Sequence, residues 1–333
     1  MDYRRYFAQR QAEMVATLQT CVELESPSTD KAACDRLAEW LAAQLRRLGA
    51  EVELVVQEQY GNHVVGRWGG GEGHILLLGH YDTVWPVGEL AKRPFRLEKD
   101  KAYGPGVFDM KVGLVQILHA LAGLKELAVT CRNRVTVLFN SDEELGSPSS
   151  RPLIERLARQ ADYVFVLEPA VPPRGALKTF RKGVGLFTIT VEGRAAHAGA
   201  DPTRGVSAIE ELARQILALH ALTDHERGTT VNVGVIRGGS RSNVVAAHAT
   251  AEVDLRVTTM EEARRMEQTI LQLQPFHPEA RITVTGGINR PPMERTEQIV
   301  ALFRRAQEFA RQLGFELEET GTGGASDGNF TAA

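Results

Sequence analysis

Three apolar runs alternate with helical patterns in the first half of the chain, and they constrain the fold more than any other feature. The runs are HILLLG (His74–Gly79), VTVLFN (Val135–Asn140) and YVFVL (Tyr163–Leu167). Continuous apolar runs of this length are typical of strands that are covered on both faces of a sheet. Helical patterns lie between them at Val112–Leu124 and Pro152–Arg159. This alternation predicts an α/β layer with a largely parallel sheet.

An amphipathic helix and a further strand precede these runs. The apolar positions of the helix recur at three- and four-residue spacing, which places them on one face: Leu37, Leu41, Leu45 and Leu48. Gly49 follows as a C-terminal stop, and Val52–Val56 has the pattern of a strand. The alternation of helices and strands therefore extends toward the amino terminus.

The second half of the chain has a different texture, because its strand-like segments alternate apolar and polar residues. Such alternation is typical of a sheet with one exposed face. The order of segments, β-α-β-β-α-β, predicts a ferredoxin-like arrangement. We therefore expect a second domain over residues 178–290, inserted into a first domain made of residues 1–177 and 291–333. Pro291 and Pro292 mark the return to the first domain.

Composition narrows the class of protein. A length of 333 residues fits about two domains. The net charge of −3 gives no electrostatic case for nucleic acid binding. Cys21, Cys34 and Cys131 do not form a disulfide framework, which favours a reducing compartment. The amino terminus lacks a secretory h-region, and no segment approaches the ~20 apolar residues of a membrane span. We expect a cytoplasmic protein with no nucleic acid partner and no membrane partner.

Acidic residues and one histidine follow the buried strands or, in the case of Asp109, precede the helix at 112–124, so that all fall at the carboxyl edge of the predicted sheet or in the loops there. They are His80, Asp82, Asp109, Glu143, Glu144 and Glu168. Taken singly, each is more often a surface or turn residue, but their recurrence after consecutive strands indicates a site at the ligand-binding edge. Clustered carboxylates are unfavourable unless cations neutralise them. Histidine with Asp and Glu suits zinc or similar divalent ions, and this many ligands suggests two ions that share a bridging carboxylate.

The segments that carry these residues resemble the M20 metallopeptidase family: LLLGHYDTVWP, YGPGVFDMKVG, LFNSDEELGS and VLEPA. Two further segments, LAKRPFRLEKDKAYGPG and GRAAHAGADP, are most similar to its carboxypeptidase G-like branch, the glutamate carboxypeptidases. The match runs in order from about residue 10 to residue 333. The resemblance implies a zinc-peptidase-like α/β/α catalytic domain with an inserted ferredoxin-like domain that acts as a lid and dimerises.

The resemblance also implies a role for each metal-site residue. His80 and Glu168 would bind the first ion, Glu144 the second, and Asp109 would bridge the two. The ions would be two Zn²⁺, with Co²⁺ or Mn²⁺ as alternatives. Asp82 would hydrogen-bond the ring of His80 and fix its tautomer. Glu143 would be the general base that moves a proton from the attacking water to the leaving amine.

Three residues outside the metal site resemble substrate-binding residues of the family. His197 resembles the lid histidine that reaches the active site of the partner subunit in a homodimer, Asn243 a substrate-contacting asparagine, and Arg290 an arginine that binds the substrate carboxylate. Without the resemblance, His197 is better explained as a solvated loop residue, and Asn243 equally well as a turn former.

A loop near the end of the chain fits two motifs. Gly323–Asp327 resembles the glycine-rich loop near the substrate in this family, although a plain turn explains it nearly as well. Gly324–Gly328 also satisfies G-x-S-x-G, the nucleophile elbow of serine hydrolases. That motif needs a later His and a later Asp or Glu, and the residues after Gly328 include none. We therefore set the serine-hydrolase interpretation aside.

The resemblance implies a dinuclear zinc hydrolase that cleaves an amide bond next to a free carboxylate. It would release a C-terminal glutamate-type residue from a peptide or an N-acyl conjugate. An N-acyl-amino-acid amidohydrolase is the alternative within this class. The family also carries one more histidine ligand beyond the glycine-rich loop, and no counterpart occurs before Ala333. A C-terminally truncated catalytic domain is therefore expected, and a catalytically inactive, dimerising binding protein is the alternative from another class.

Overall fold

The computed structural model describes residues 3–332 of the chain. The α-helices are α1 (Tyr3–Gln9), α2 (Gln11–Glu23), α3 (Lys31–Leu48), α4 (Glu89–Lys92), α5 (Val112–Glu126), α6 (Arg151–Ala158), α7 (Ala208–His220), α8 (Met260–Leu271), α9 (Glu297–Gln312) and α10 (Gly328–Thr331). The strands are β1 (Glu51–Val55), β2 (His63–Gly69), β3 (Gly73–His80), β4 (Arg96–Glu98), β5 (Lys101–Tyr103), β6 (Asn133–Asn140), β7 (Tyr163–Val166), β8 (Leu177–Arg181), β9 (Gly183–Glu192), β10 (Thr230–Gly238), β11 (His248–Val257), β12 (Arg281–Arg290) and β13 (Glu319–Thr322).

Residue contacts divide the chain into two units. The first runs to Ala176 and includes Ala306–Glu318, and the second contains Leu177–Arg305 and the segment from Glu319 onward. The division expected from the sequence differs in assigning all of 291–333 to the first domain. That division, with an inserted domain over 178–290, stays a proposal.

The first unit is built on a five-stranded sheet with the order β1-β2-β6-β3-β7. β3 pairs in parallel with β6 and with β7, whereas β2 runs antiparallel to β1 and to β6. The parallel strands are those that the apolar runs predicted, and β2 was missed because HVVGRWG lacks a clean period. Gly66 within β2 has a packing role, since a Cβ there would lie 2.9 Å from a methyl carbon of Leu45 on α3.

One strand of this sheet is less covered than its sequence predicts. β7 pairs with β3 alone and lies at the margin of the sheet. Its side chains Tyr163 and Phe165 are exposed, at 42% and 39%. The run YVFVL is therefore an edge strand with one open face, because an apolar sequence alone cannot distinguish a central strand from an edge strand.

Helices α3 and α5 supply the main core of the first unit. Their apolar faces meet the sheet in one cluster, which includes Leu37, Leu41, Leu45, Leu114, Ile117, Leu121, Val64, Val137 and Phe139. Gly49 ends α3 with φ +92°, as its sequence predicts, and the side chain of Asp30 caps the start of the helix. The predicted helices and the core residues on this face are confirmed.

One stretch, Val107–Glu126, is apolar and long enough by composition to cross a membrane. The expectation that no segment approaches this length is therefore wrong. The stretch is not one continuous helix, because Asp109 and Met110 have non-helical dihedral angles, and α5 itself has 15 residues. Half of the stretch is buried in the structure, and several of its apolar residues belong to the core cluster described above: Leu114, Ile117, Leu118 and Leu121.

The second unit contains a four-stranded antiparallel sheet with the order β10-β11-β9-β12. Helices α7 and α8 cover one face, and their side chains form a second core with the inward residues of the strands. Ser207 and Thr259 cap the two helices through their hydroxyl groups. The element order and the strand order are those of the predicted ferredoxin-like arrangement.

Glu262, in the first turn of α8, is a strongly hydrogen-bonded carboxylate of this unit. It accepts two hydrogen bonds from Arg265, at 2.8 and 2.6 Å, and one from Thr229 at 2.7 Å. The Arg265 hydrogen bonds, with help from Thr229, lower the pKa of Glu262 to about 2. The ionised carboxylate therefore stabilises the folded state, and this contribution is lost as the pH falls from about 4.5 toward 2.

We expect Glu262→Gln to lower the free energy of unfolding at pH 7 by about 2–3 kcal/mol, because a neutral amide cannot keep the charged contacts. Urea unfolding at several pH values measures this, and the difference from wild type should shrink below pH 4.5. Its exposed neighbour Glu261 provides the control, Glu261→Gln, for which we expect a change of less than about 0.5 kcal/mol. Equal losses in both variants would contradict this account of Glu262.

Candidate metal centre

The predicted metal-site residues meet at the carboxyl edge of the five-stranded sheet. His80 is the last residue of β3 and lies opposite Asn140, the last residue of β6, in the parallel register. The turn after β6 carries Glu143 and Glu144, and Glu168 follows β7. Parallel pairing therefore brings the ends of the three strands together, as the sequence predicted.

The imidazole of His80 is the centre of the cluster. Its Nε2 lies 3.2 Å from Oδ1 of Asp109, 3.6 Å from Oε1 of Glu168 and 4.0 Å from Oε2 of Glu143. Two sets of donor atoms fall within 4.8 Å of one another: His80, Asp109 and Glu144 form one, and His80, Glu143 and Glu168 form the other. The structure thus brings all of these predicted residues together.

Asp82 ties the two sides of the cluster together. Its side chain is fully buried, and its Oδ1 lies 3.4 Å from Nδ1 of His80. The same carboxylate accepts hydrogen bonds from the backbone N–H groups of Glu143, at 3.3 Å, and Glu144, at 3.2 Å. It also accepts a 2.6 Å bond from the hydroxyl of Ser28. Asp82 therefore orients the histidine and also holds the turn that carries the two glutamates.

The turn itself is fixed by a second buried carboxylate, Asp142. Its Oδ2 accepts hydrogen bonds from the backbone and hydroxyl of Ser149, at 2.6 and 2.7 Å, and from the backbone of Ser150 at 3.1 Å. Gly146 completes the turn with φ +90°. Sequence reasoning missed Asp142 and Ser28. No periodicity marks Ser28, which lies 54 residues before its partner Asp82.

The electrostatics of the cluster show an excess of negative charge. Burial lowers the pKa of His80, but hydrogen bonds with Asp109, Asp82 and Glu168 outweigh it and hold that pKa well above its ordinary value. Burial, together with the neighbouring carboxylates, raises the pKa of Glu144 to about 7. The cluster therefore retains protons at neutral pH to offset its own charge.

This donor set fits divalent cations. Imidazole nitrogen and carboxylate oxygen are ligands that zinc accepts, and a cation would replace the protons that the cluster otherwise keeps. Two further carboxylates support these donors, because Asp82 orients His80 and Asp142 fixes the turn of the glutamates. Metal ligands in proteins commonly have such support. The geometry therefore fits a metal centre better than an ordinary surface ion pair.

Two predicted substrate-binding residues, His197 and Asn243, lie side by side in the second unit. His197 forms a β-bridge with Val244, and the backbone carbonyl of Asn243 accepts a 3.0 Å bond from Ala198. The side chains of both residues are exposed. Nδ1 of His197 accepts bonds from the backbone N–H groups of Gly199 and Ala200. A neutral ring in this arrangement carries its proton on Nε2, which makes Nε2 a hydrogen-bond donor.

Arg290, the third of these residues, lies elsewhere in the second unit. It is buried at the end of β12 and pairs in register with Val184 near the start of β9, whereas His197 follows the end of β9. At about 3.3 Å per residue, the strand separates the two positions by roughly 25 Å. One copy of this unit therefore does not bring Arg290 together with His197 and Asn243.

The glycine-rich loop packs on two buried guanidinium groups. Nη2 of Arg290 lies 3.4 Å from Oδ1 of Asp327, and Nη1 of Arg181 donates to the carbonyl of Gly324 at 3.3 Å. Ser326 is buried, and its hydroxyl accepts a bond from the N–H of Gly328. A serine in this setting is not an exposed nucleophile. Sequence reasoning missed Arg181, because one arginine at a strand end carries no distinctive pattern.

We expect Asp82→Asn to weaken divalent metal binding about 10–100-fold, because an amide cannot accept all the bonds that now orient His80 and the glutamate turn. Calorimetric titration with zinc measures the change. Asp162→Asn is the matched control, since Asp162 also accepts a backbone bond, from His74 at the opposite end of β3. Zinc affinity unchanged in Asp82→Asn would mean that this carboxylate does not organise the site.

Comparison with known proteins supports this interpretation of the site. The model of Peptidase family M20/M25/M40 matches residues 76–333. The chain is 35% identical to Carboxypeptidase G2 of Pseudomonas sp. (strain RS-16), and the match covers 97% of this chain and 79% of that protein. It is 32% identical to the acetylornithine deacetylase of Vibrio campbellii, with 69% of this chain and 63% of that protein covered, so it spans less than two thirds of that relative.

A solved structure shows the same fold. A tripeptidase from Staphylococcus aureus superposes with a TM-score of 0.76 at 24% identity, and the match covers 95% of this chain and 86% of that one. The family match and the identity to Carboxypeptidase G2 together identify the class of protein. The chain belongs to peptidase family M20/M25/M40, and it is an amide-bond hydrolase of the metallopeptidase type.

Proposed function

We propose that this protein is a dinuclear zinc hydrolase that cleaves an amide bond next to a free carboxylate. It releases a C-terminal glutamate-type residue from a peptide or an N-acyl conjugate. The observation that carries the proposal is the pair of donor sets that share His80 at the sheet edge. The similarity to Carboxypeptidase G2 supports the carboxypeptidase assignment.

Four residues would hold the ions. His80 and Glu168 would hold one ion and Glu144 the other, and Asp109 would serve both. When bound, the ions supply a Lewis acid that polarises the scissile carbonyl and makes water a better nucleophile. Co²⁺ or Mn²⁺ can serve in place of Zn²⁺, since the donor set of one histidine with carboxylates accepts them too.

Glu143 carries the proton in this proposal. Its side chain is about one-tenth exposed, and its Oε2 lies 4.0 Å from Nε2 of His80, at the edge of the donor cluster. The adjacent Glu144 points its carboxylate into the other donor set, so the two glutamates have different roles. Glu143 takes a proton from the attacking water and gives it to the leaving amine. Asp82 holds its backbone in place.

Arg290 binds the free carboxylate of the substrate. A guanidinium group forms two parallel hydrogen bonds with a carboxylate, which fixes both its position and its orientation. Burial of Arg290 at the end of β12 limits the competition from water. This contact would select substrates with a free carboxylate beside the amide bond.

A homodimer would place His197 and Asn243 where they can contact a substrate. Since His197 and Asn243 lie far from Arg290 in one chain, we propose that they act in the active site of the partner subunit. There His197 donates a hydrogen bond to the oxyanion that develops on the carbonyl. β10 is an edge strand, and Ile236 on it is 64% exposed. Leu217 on α7 is 73% exposed, so this side of the unit offers a surface for two-fold pairing.

We also propose a cytoplasmic location and no nucleic acid or membrane partner. Cys21, Cys34 and Cys131 are free thiols, which suits a reducing compartment. The net charge of −3 offers no broad attraction to nucleic acid.

An N-acyl-amino-acid amidohydrolase is the second candidate function. The similarity to an acetylornithine deacetylase favours it, because the same metal site can serve either substrate class. A panel of N-acylglutamate, N-acylglutamine and N-acylornithine compounds, assayed with and without a chelator, separates the two functions. We expect zinc-dependent hydrolysis that is fastest for the glutamate compounds. Faster hydrolysis of the ornithine compounds would favour the second candidate, and hydrolysis that resists chelation would contradict both.

We expect Glu143→Gln to lower kcat by about 10²–10⁴-fold while zinc affinity stays near the wild-type value, because an amide cannot shuttle a proton. Steady-state kinetics and zinc titration measure the two effects. Glu144→Gln is the matched variant on the neighbouring residue, for which we expect weaker zinc binding. Near-normal turnover in Glu143→Gln would show that another residue is the base.

Mixing two inactive variants tests the action of His197 in the partner's site. Chains with His197→Ala are combined with chains with Glu143→Gln under conditions that exchange subunits. If His197 acts across the dimer, each mixed dimer has one complete site, and activity recovers to about a quarter of the wild-type value. Sedimentation confirms that dimers are present. If dimers form but the mixture stays inactive, His197 acts in its own chain or not at all.

A further inference from the structure

Lys111 is a buried lysine that the proposed chemistry does not use. It lies two residues after Asp109, and the whole residue is only 1% exposed. Its Nζ donates to the backbone carbonyls of Cys21, at 2.8 Å, and Leu24, at 2.9 Å. Lysine is rarely this buried unless its ammonium group is satisfied.

The two carbonyls belong to the end of one helix. Cys21 lies in the last turn of α2, and Leu24 is the residue that caps its C-terminus. Carbonyls at a helix C-terminus lack partners within the helix and carry partial negative charge. An ammonium group satisfies both needs. Lys111 therefore fastens its own segment to the end of α2, which is a distant part of the chain in sequence.

The fastened segment is the one that presents Asp109. The side chain of Asp109 is 59% exposed, and among the described residues its hydrogen bond is with His80. Packing around this carboxylate is therefore sparse, and its position depends on the backbone. The backbone N–H of Lys111 donates to the carbonyl of Gly106 at 3.0 Å, which closes a small loop around Asp109.

The loop around Asp109 is also held in place at Met110 and Gly106. Met110 is fully buried, and its sulfur accepts a 3.2 Å bond from the backbone of His80. Gly106 has φ +68°, and a Cβ there would lie 2.5 Å from a methyl carbon of Thr83. The loop thus fits closely on its neighbours at Gly106 and Met110, and Lys111 supplies the anchor at its far end.

We propose that Lys111 is a positioning residue for the metal ligand Asp109, which it holds in place by anchoring the Asp109 loop to the C-terminus of α2. The inference rests on the proposed metal centre. The ammonium group of Lys111 bonds to the end of α2, so Lys111 acts on metal affinity through the backbone of Asp109.

A matched lysine separates this role from general stabilisation. Lys125, in the last turn of α5, donates its Nζ to the carbonyl of Arg47 in the last turn of α3, at 3.0 Å. Like Lys111, Lys125 bonds through its ammonium group to a carbonyl at the end of a helix in the first unit. Unlike Lys111, it is not close in sequence to a residue of the metal site. Lys125→Met therefore removes a helix-capping ammonium group without loosening the Asp109 loop.

The test is a zinc titration of the full chain by calorimetry, at a temperature where every variant is folded. We expect Lys111→Met to weaken zinc binding about 10–100-fold, as is typical for residues that support metal ligands. Lys125→Met should bind zinc as tightly as wild type. If Lys111→Met does not fold, Lys111→Gln, which keeps an N–H donor, takes its place with a smaller expected loss.

A double-variant cycle shows whether the effect passes through Asp109. If it does, adding Lys111→Met to Asp109→Asn causes little further loss of zinc affinity, because the ligand is already impaired. An equal loss in both backgrounds, or an unchanged affinity in Lys111→Met, would overturn the positioning role while leaving the metal centre intact. A wild-type chain that binds no zinc would overturn the metal centre as well.

Discussion

The rest of the site depends on the contacts that the buried carboxylate of Asp82 makes. This carboxylate lies beside Nδ1 of His80 and accepts hydrogen bonds from the backbone N–H groups of Glu143 and Glu144. A single carboxylate thus couples the end of β3 to the turn after β6. Since Asp82 is fully buried, these hydrogen bonds form in a medium of low dielectric constant, which strengthens them. Leaving one of these polar groups without a partner there would cost free energy. The cluster of negative charge around His80 is held together by this contact.

The sequence predicts the part of the fold that depends on strong patterns. The apolar runs of β3 and β6 and the leucine face of α3 carry clear periods, and parallel pairing then dictates that His80 and the glutamates share one edge. β2 escapes prediction because its sequence lacks the alternation of apolar and polar residues that marks a strand. Its Gly66 is needed instead to let α3 pack closely. The open face of β7 escapes it because a strand sequence does not reveal whether the strand has one neighbour or two.

The sequence also predicts the residues of the proposed metal centre better than the residues that support them. Ser28 comes from a segment with no motif of its own, and only the folded chain shows that it meets Asp82. Lys111 stands inside the segment YGPGVFDMKVG, but nothing in the sequence indicates that its ammonium group bonds to the end of α2. The opposite holds for Arg290, His197 and Asn243, which the family resemblance groups but the chain separates along β9. The proposed homodimer, in which His197 and Asn243 act in the partner's site, would reconcile the grouping with the separation.

In the proposed metal centre, the carboxylates around His80 keep protons only until divalent ions replace them. Calorimetric titration of the metal-free chain with zinc at pH 7, in two buffers of different ionisation enthalpy, gives both the number of ions bound and the number of protons released. The two sets of donor atoms in the proposed centre predict two ions per chain, and the raised pKa values of His80 and Glu144 predict release of more than one proton. Zinc binding without proton release, or no binding at all, would contradict the account.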